Sequence, residues 1–412
     1  MLRKTALPPS EKHTRTYVPV RPKLRLPPKY PVSEYERRTD CRKYIGAWPC
    51  VERRPCQGCD LYEPVNQRIL FTHLGFHGDM LITSPLAKRL KDDNPHAHIT
   101  WLVDEKYAAI VQMNPYVDRV LFYNWENMST LESEMFDLVV GMERHAPAAA
   151  LVHRISAARK VGLAHGGPDN ALYALDPVGE GILMMDTWND FRTHANATTW
   201  TERYFKLCGF EYDKEPYVAE VPEAERHAVR DWLDPDDRPL VLLNLGGSLA
   251  TKIWPDDGWR LLSAALIDDG CRIVFAGGPD VADRCTALVD YLIARGADAN
   301  AAMYRATTVG EMCALPEFVD LVVTGDSFGF HASLLHERRT VLLLGPSSPN
   351  EVVPKHATWV DMIRSTFPCS PCAYHIACEG IGGCMDVIAA TDVIAHARAA
   401  LLTSSGMTDA IS

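Results

Sequence analysis

Short apolar runs of strand length, each followed by a stretch with helical spacing, recur along this chain from residue 66 almost to its end. The first set reads "RILFTHL" strand, "DMLITSPLAKRLKDD" helix, "HITWLV" strand, "EKYAAIVQMN" helix, "RVLFYN" strand, "FDLVVGM" strand and "AAALVHRISAARK" helix. Two longer helical stretches, "NATTWTERYFKLCGF" and "EAERHAVRDWL", follow it. The alternation then restarts at "PLVLLNLGG" and runs through "WRLLSAALIDDG", "RIVFAGG", "ADRCTALVDYLIARG", "LVVTGD", "SFGFHASLLHE" and "TVLLLGPS". Strands separated by helices of this length pair in parallel through right-handed crossovers. The expected fold is therefore α/β, with two Rossmann-like doubly wound domains facing each other across a cleft into which strand C-termini and helix N-termini point. The domains are expected at 65–235 and 236–402, with a polar tail at 403–412. Residues 1–64 are too rich in Pro for long helices and read as an extension outside this pattern.

The chain has 412 residues, 47% of them hydrophobic and 23% charged, about twice the length that one core normally serves. No apolar run approaches the roughly 20 residues that span a bilayer, and "MLRKTALPPSEKH" lacks the apolar centre of a secretory signal, so the protein is expected in the cytoplasm. The net charge of −11 argues against general nucleic-acid binding. It is unevenly spread, because residues 1–60 carry 14 Lys/Arg against 6 Asp/Glu and leave the remainder near −19. A basic arm on an acidic body suits a subunit contact or a peripheral contact with the inner membrane surface, and equally a solvated extension.

Several strand exits carry residues suited to chemistry. In "HLGFHGDMLITSP" the first strand ends in Gly75, Gly78 and Asp79. With no third glycine in register it is a poor dinucleotide fingerprint, and Asp79 at a helix start also has a purely structural use, stabilised by the helix dipole. The second half offers better phosphate signals. "NLGGSLATKIWP" places Gly246, Gly247 and Ser248 behind a strand and Lys252 ahead of a helix, so backbone amides and a point charge can meet a diphosphate. "RIVFAGG" ends in Gly277 and Gly278. "VVTGDSFGFHASLL" puts Asp326, Ser327, Gly329 and His331 at or inside a helix N-terminus, where free N–H groups bind phosphate and a carboxylate accepts from sugar hydroxyls.

Twelve cysteines accompany these motifs, and eight of them fall in two clusters. "CSPCAYHIACEGIGGC" supplies Cys369, Cys372, Cys378 and Cys384, and "CRKYIGAWPCVERRPCQGCD" supplies Cys41, Cys50, Cys56 and Cys59. Each has a C-x2-C pair with two further thiols and is a candidate structural zinc or iron site, or pairs from both could share one site; reduced or disulfide-linked surface loops are the alternative. Four protein thiolates leave no open position, so neither is a candidate for catalysis. Cys208, Cys271, Cys285 and Cys313 stand among apolar neighbours and read as core fillers.

Taken in order, "GFHGDMLITSP", "GGSLATKIWP", "GDSFGFHASLL", "LLLGPSSP" and "CSPCAYHIACEGIGGCM" resemble the heptosyltransferases, glycosyltransferase family 9, over roughly residues 66–400. The resemblance implies a GT-B fold and inverting transfer of a sugar from a nucleoside-diphosphate donor, usually ADP-heptose. It implies a lipopolysaccharide-core or related glycan acceptor and no cofactor for catalysis. It also implies that Asp79 is the general base, that Lys252 neutralises the donor diphosphate, that Asp326 contacts the donor sugar, and that Ser327, Gly329 and His331 lie in the segment that holds phosphate. Departures are Ser327 where Thr is common, Phe328 where Gly often follows, and the bulky His77 before Gly78. They leave open another nucleotide sugar more than another reaction; a protein acceptor, or a nucleotide-sugar-binding assembly protein that uses its basic arm and cysteine clusters for partners, is the further alternative, and the Asp79 and Lys252 pair argues against the latter.

Overall fold

In the computed structural model, residues 37–44, 50–247, 249–297, 300–373 and 383–405 are described. They fall into two compact units, residues 1–63 and 64–412. Both expected sheets lie in the second unit.

The first sheet comprises β1 (Gln67–Thr72), β2 (Ala97–Val103), β3 (Arg119–Phe122), β4 (Met135–Gly141), β5 (Ser156–Gly166) and β6 (Ala171–Ala174). The second comprises β7 (Leu240–Asn244), β8 (Arg272–Ala276), β9 (Ala301–Met303), β10 (Leu321–Gly325), β11 (Thr340–Leu344) and β12 (Val360–Arg364). Their spatial orders are β3-β2-β1-β4-β5-β6 and β12-β11-β10-β7-β8-β9. Both are the doubly wound order, with the direction of winding reversing between β1 and β4 in one sheet and between β7 and β10 in the other. Pairing is parallel throughout except for β6, which runs antiparallel to β5. The central strands β7, β10 and β11 are buried along their whole length, as a sheet covered by helices on both faces requires.

One sequence expectation fails here. "AAALVHRISAARK" is helical only over Ala146–Arg154, and Ser156–Gly166 is a strand. Its alanines and basic residues suit a helix, but β5 completes the sheet beside β4 and returns as a hairpin through β6. Gly162 (φ +86°) makes that pairing close: a Cβ there would stand 2.1 Å from the Gly141 carbonyl oxygen.

The helix His77–Asp93 that leaves β1 contains Pro85. Proline has no N–H to give the Leu81 carbonyl, and the Ser84 hydroxyl donates to that oxygen instead, at 2.7 Å. Ser84 Oγ also accepts from Val218 N–H at 2.8 Å, which ties the helix to the segment leading into the second sheet.

The two sheets with their helices pack against each other along one side. A single apolar cluster contains Ile69, Met80 and Leu86 from the first and Phe330, Leu334 and Leu342 from the second. Arg192 donates to the buried Glu351 through Nε and Nη2 at 2.8 and 2.9 Å. Asn350 donates to the Asn196 carbonyl at 2.8 Å, and Lys355 to Glu202 at 3.0 Å. Cys208, Cys271, Cys285 and Cys313 are buried in the cores. Among the described residues no helix is long and apolar enough to cross a membrane.

Candidate active site

Asp79 follows β1, Lys252 follows β7 and Asp326 follows β10, so all three leave strands that flank a reversal of winding, where doubly wound folds form their ligand crevices. Contact between the helices His77–Asp93 and Phe328–Leu335 brings the two crevices together. Gly78 lies so close to His331 that a Cβ on it would stand 2.7 Å from His331 Cδ2. The His77 and Phe328 rings meet beside them at 5.3 Å.

Asp79 occupies the third position of its helix, half-buried, and Phe76 N–H donates to its Oδ2 at 3.2 Å. The structural use anticipated for a carboxylate at a helix start is thus present. Loss of hydration nevertheless pushes its carboxyl up to about 6, with the Phe76 amide and the Lys252 charge opposing and the Asp326 and Glu143 charges adding to the rise. Charges from both halves of the molecule therefore act on Asp79. Glu143 comes from the strand exit opposite, after β4. It accepts from Leu74 N–H at 3.2 Å, and its own carboxyl is raised mainly by burial.

Lys252 ends a short 3-10 turn (Ala250–Lys252), and the "KIWP" that follows explains its placement. Trp254 is buried, donates from Nε1 to the Ile388 carbonyl at 3.0 Å and meets Trp259 edge-on at 5.0 Å. That anchor fixes the loop, and Lys252 Nζ donates to Asp326 Oδ2 at 2.7 Å. Ser347, at the exit of β11, donates to the same oxygen at 2.5 Å. Burial alone would push the Asp326 carboxyl up, but Lys252, His331 and the Ser347 hydroxyl outweigh it and hold it near 2. His331 Nε2 lies 3.9 Å from Asp326 Oδ1. Burial pushes this imidazole down to about 4, so the pair is a neutral ring beside a carboxylate. His331 Nδ1 is buried with no hydrogen-bond partner among the described residues.

The glycines of the second half have packing duties. Gly329 faces Asn244, where a Cβ would stand 2.5 Å from Asn244 Cγ, and Gly277 faces Val281 Cγ2 at 2.3 Å and the Gly246 amide nitrogen at 3.3 Å. Gly246 and Gly277 thus lie side by side at the exits of β7 and β8, with Gly247 and Gly278 next to them. Ser248 lies outside the described residues.

Asn244 was not singled out from the sequence. Its Nδ2 donates to Thr324 Oγ1 and Ser327 Oγ, both at 2.9 Å, and so locks the exits of β7 and β10 together. Ser347 and Glu143 were missed as well. Each is the polar residue at or just beyond the end of a buried apolar strand, which was the available signal.

Among the described residues no three His, Cys, Asp or Glu side chains are gathered closely enough to hold a metal ion. Cys378 of the late cluster lies outside the described residues. Cys384 and Cys372 are buried, and Cys384 Sγ and Met385 Sδ pack on Gly345, the glycine of "LLLGPSSP". The late segment therefore supports the loop that carries Ser347.

The family model for glycosyltransferase family 9 (heptosyltransferase) matches residues 125–380. The chain is 24% identical over 294 residues to lipopolysaccharide heptosyltransferase 3 of Escherichia coli strain K12, covering 66% of this chain and 80% of that protein. A glycosyltransferase family 9 structure from Veillonella parvula superposes with TM-score 0.63 at 21% identity, covering 83% of this chain and 99% of the other. The E. coli ADP-heptose heptosyltransferase II structure gives TM-score 0.62 at 19% identity, with 82% and 99% covered. With a GT-B arrangement of two Rossmann-like domains and a family match over more than half its length, this chain belongs to glycosyltransferase family 9, the heptosyltransferases, and is a glycosyltransferase.

Proposed function

We propose that this enzyme transfers a heptose-type sugar, with inversion, from ADP-heptose to a hydroxyl of a lipopolysaccharide-core or related surface glycan. The observation that carries the reading is the meeting at one seam of a carboxylate from the first domain, held up to about 6, with a lysine–carboxylate pair from the second. Inverting transfer needs a base for the acceptor hydroxyl and positive charge for the departing diphosphate. Asp79 takes the hydroxyl proton as the acceptor oxygen bonds to the anomeric carbon. The bond from that carbon to the diphosphate oxygen breaks on the opposite face, and the nucleoside diphosphate leaves with the electron pair.

Lys252 meets the developing charge, and the first amides of the helix Phe328–Leu335 add their dipole. Asp326 accepts from the donor sugar, and the buried His331 Nδ1, without a hydrogen-bond partner among the described residues, is a further polar contact for the donor. Donor binding draws on Gly78, Gly246, Gly247, Gly277, Gly278, Ser327 and Gly329 through backbone approach. The named relatives support this donor and acceptor class, since they are a lipopolysaccharide heptosyltransferase and an ADP-heptose heptosyltransferase. Work on such an acceptor suits peripheral contact with the inner membrane surface.

The test is a transfer assay with ADP-heptose and lipopolysaccharide-core acceptors, set beside calorimetry with a panel of ADP- and UDP-sugars. Asp79→Asn is expected to lose about 10²- to 10⁴-fold in kcat while ADP-heptose affinity stays within a few-fold. Turnover close to wild type would remove Asp79 as the base, and selective binding of a UDP-sugar would replace the donor.

A further inference from the structure

The described part of the first unit buries very little apolar surface of its own. Among its described residues, 37–44 and 50–63, the only apolar side chain that is buried is Cys50, at 9% exposure, and none belongs to a hydrophobic cluster. A segment whose described residues bury so little apolar surface gains from a disulfide, a metal or a partner that holds it. Its four cysteines are all free thiols, and all four line one cavity of about 20 Å³, room for a single atom-sized guest.

Three short turns carry them, closed by Tyr44 N–H to the Cys41 carbonyl, Arg53 N–H to the Cys50 carbonyl and Cys59 N–H to the Cys56 carbonyl. Two backbone amides already point at sulfur. Glu52 N–H donates to Cys50 Sγ and Leu61 N–H to Cys59 Sγ, each at 3.4 Å and each from the residue two places on. Backbone N–H groups so placed can donate to a metal-bound sulfur and orient it. Arg38 and Arg54 line the same cavity.

We propose that Cys41, Cys50, Cys56 and Cys59 bind one soft divalent ion, zinc or iron(II), as a tetrahedral four-thiolate site that holds the first unit together. As placed, the sulfurs surround the cavity without being drawn to ligating distance. Metal–sulfur bonds of about 2.3 Å require them to move inward. Gly58, at φ +68° with open space around it, and Arg53, at φ +53°, sit in two of the turns that make this adjustment. On capture the four thiol protons pass to solvent and each sulfur keeps its electron pair for the ion. The resulting site carries two net negative charges, with Arg38 and Arg54 on its lining and Arg54 also paired with Asp60 at 3.0 Å. This assignment is independent of the transferase reading.

Full-length protein purified under reducing conditions without chelator should contain about one zinc or iron per chain at this site. That metal should persist in a Cys369→Ser/Cys372→Ser variant and disappear in a Cys56→Ser/Cys59→Ser variant. Because the second variant can simply unfold the unit, cobalt(II) added to the reduced metal-free Cys369→Ser/Cys372→Ser chain supplies a direct readout. The thiolate-to-cobalt charge-transfer and ligand-field absorption of a tetrahedral four-sulfur site should develop and then bleach when zinc is added. The proposal is overturned if no zinc or iron is found and cobalt gives no such spectrum. It is equally overturned if the metal departs with the late cysteines alone, or if mass analysis shows the four early thiols paired in two disulfides.

Discussion

Asp79 serves two masters at the residue level, a helix start and a reaction. Its amide bond from Phe76 would suit an ionised carboxylate, yet the surrounding protein takes away enough water to favour the proton. A base held near 6 loses activity when it protonates, so kcat/KM should fall about tenfold per pH unit below about 6. The stability consequence has the opposite direction. The folded value lies above the ordinary 3.8, so the proton's stabilisation is complete below 3.8 and is lost as pH rises through about 6. The gap between those values corresponds to about 3 kcal/mol at most. Asp79→Asn, inactive as a transferase, should therefore be more stable than wild type near neutral pH by up to that amount and no more stable below 3.8; urea unfolding at the two pH values measures it. A lower stability for Asp79→Asn at neutral pH would show that ionised Asp79 is a net support of the fold.

At the level of elements, the start of the helix His77–Asp93 is built to meet another helix. Gly78 has no left-handed φ, so alanine suits its backbone; the obstacle is His331, whose ring packs beside Tyr217 at a centroid distance of 6.2 Å. Gly78→Ala should cost about 1–3 kcal/mol of packing strain and depress turnover by parting the two helices. Adding His331→Ala should return the lost stability even though it removes a proposed donor contact, which a double-mutant cycle in urea resolves. If the alanine costs the same in both backgrounds, the two residues do not meet in this way. The helix itself was legible from its apolar spacing, and Pro85 did not break it because Ser84 supplies the missing donor. The segment 155–166 was not legible, since a run of small and basic residues fits a helix until a neighbouring strand claims its backbone.

Across the whole molecule, the domain seam depends on charge as well as on apolar contact. Glu351 is 4% exposed and is held bidentately by Arg192 across the seam. Arg192→Met strands that carboxylate and should cost about 3–5 kcal/mol, read as a fall in the denaturant midpoint. Arg192→Met/Glu351→Leu should recover most of the loss, because an apolar pair carries no desolvation penalty. A single-variant loss below about 1 kcal/mol would mean that the seam opens enough to hydrate Glu351.

By itself the sequence determined the two doubly wound sheets, because apolar strands alternating with amphipathic helices leave few other ways to bury both, and it marked Asp79, Lys252 and Asp326 as strand-exit residues. Only the tertiary structure decided that Asp326 holds Lys252, that Asn244 ties two strand exits together, and that a glycine in one domain exists to admit a histidine from the other. Those relations join residues more than 70 positions apart, with Gly78 and His331 separated by most of the chain. Local spacing carries no information about such pairs. They exist because two separately legible sheets bury apolar surface against each other, and that packing sets which loop ends meet.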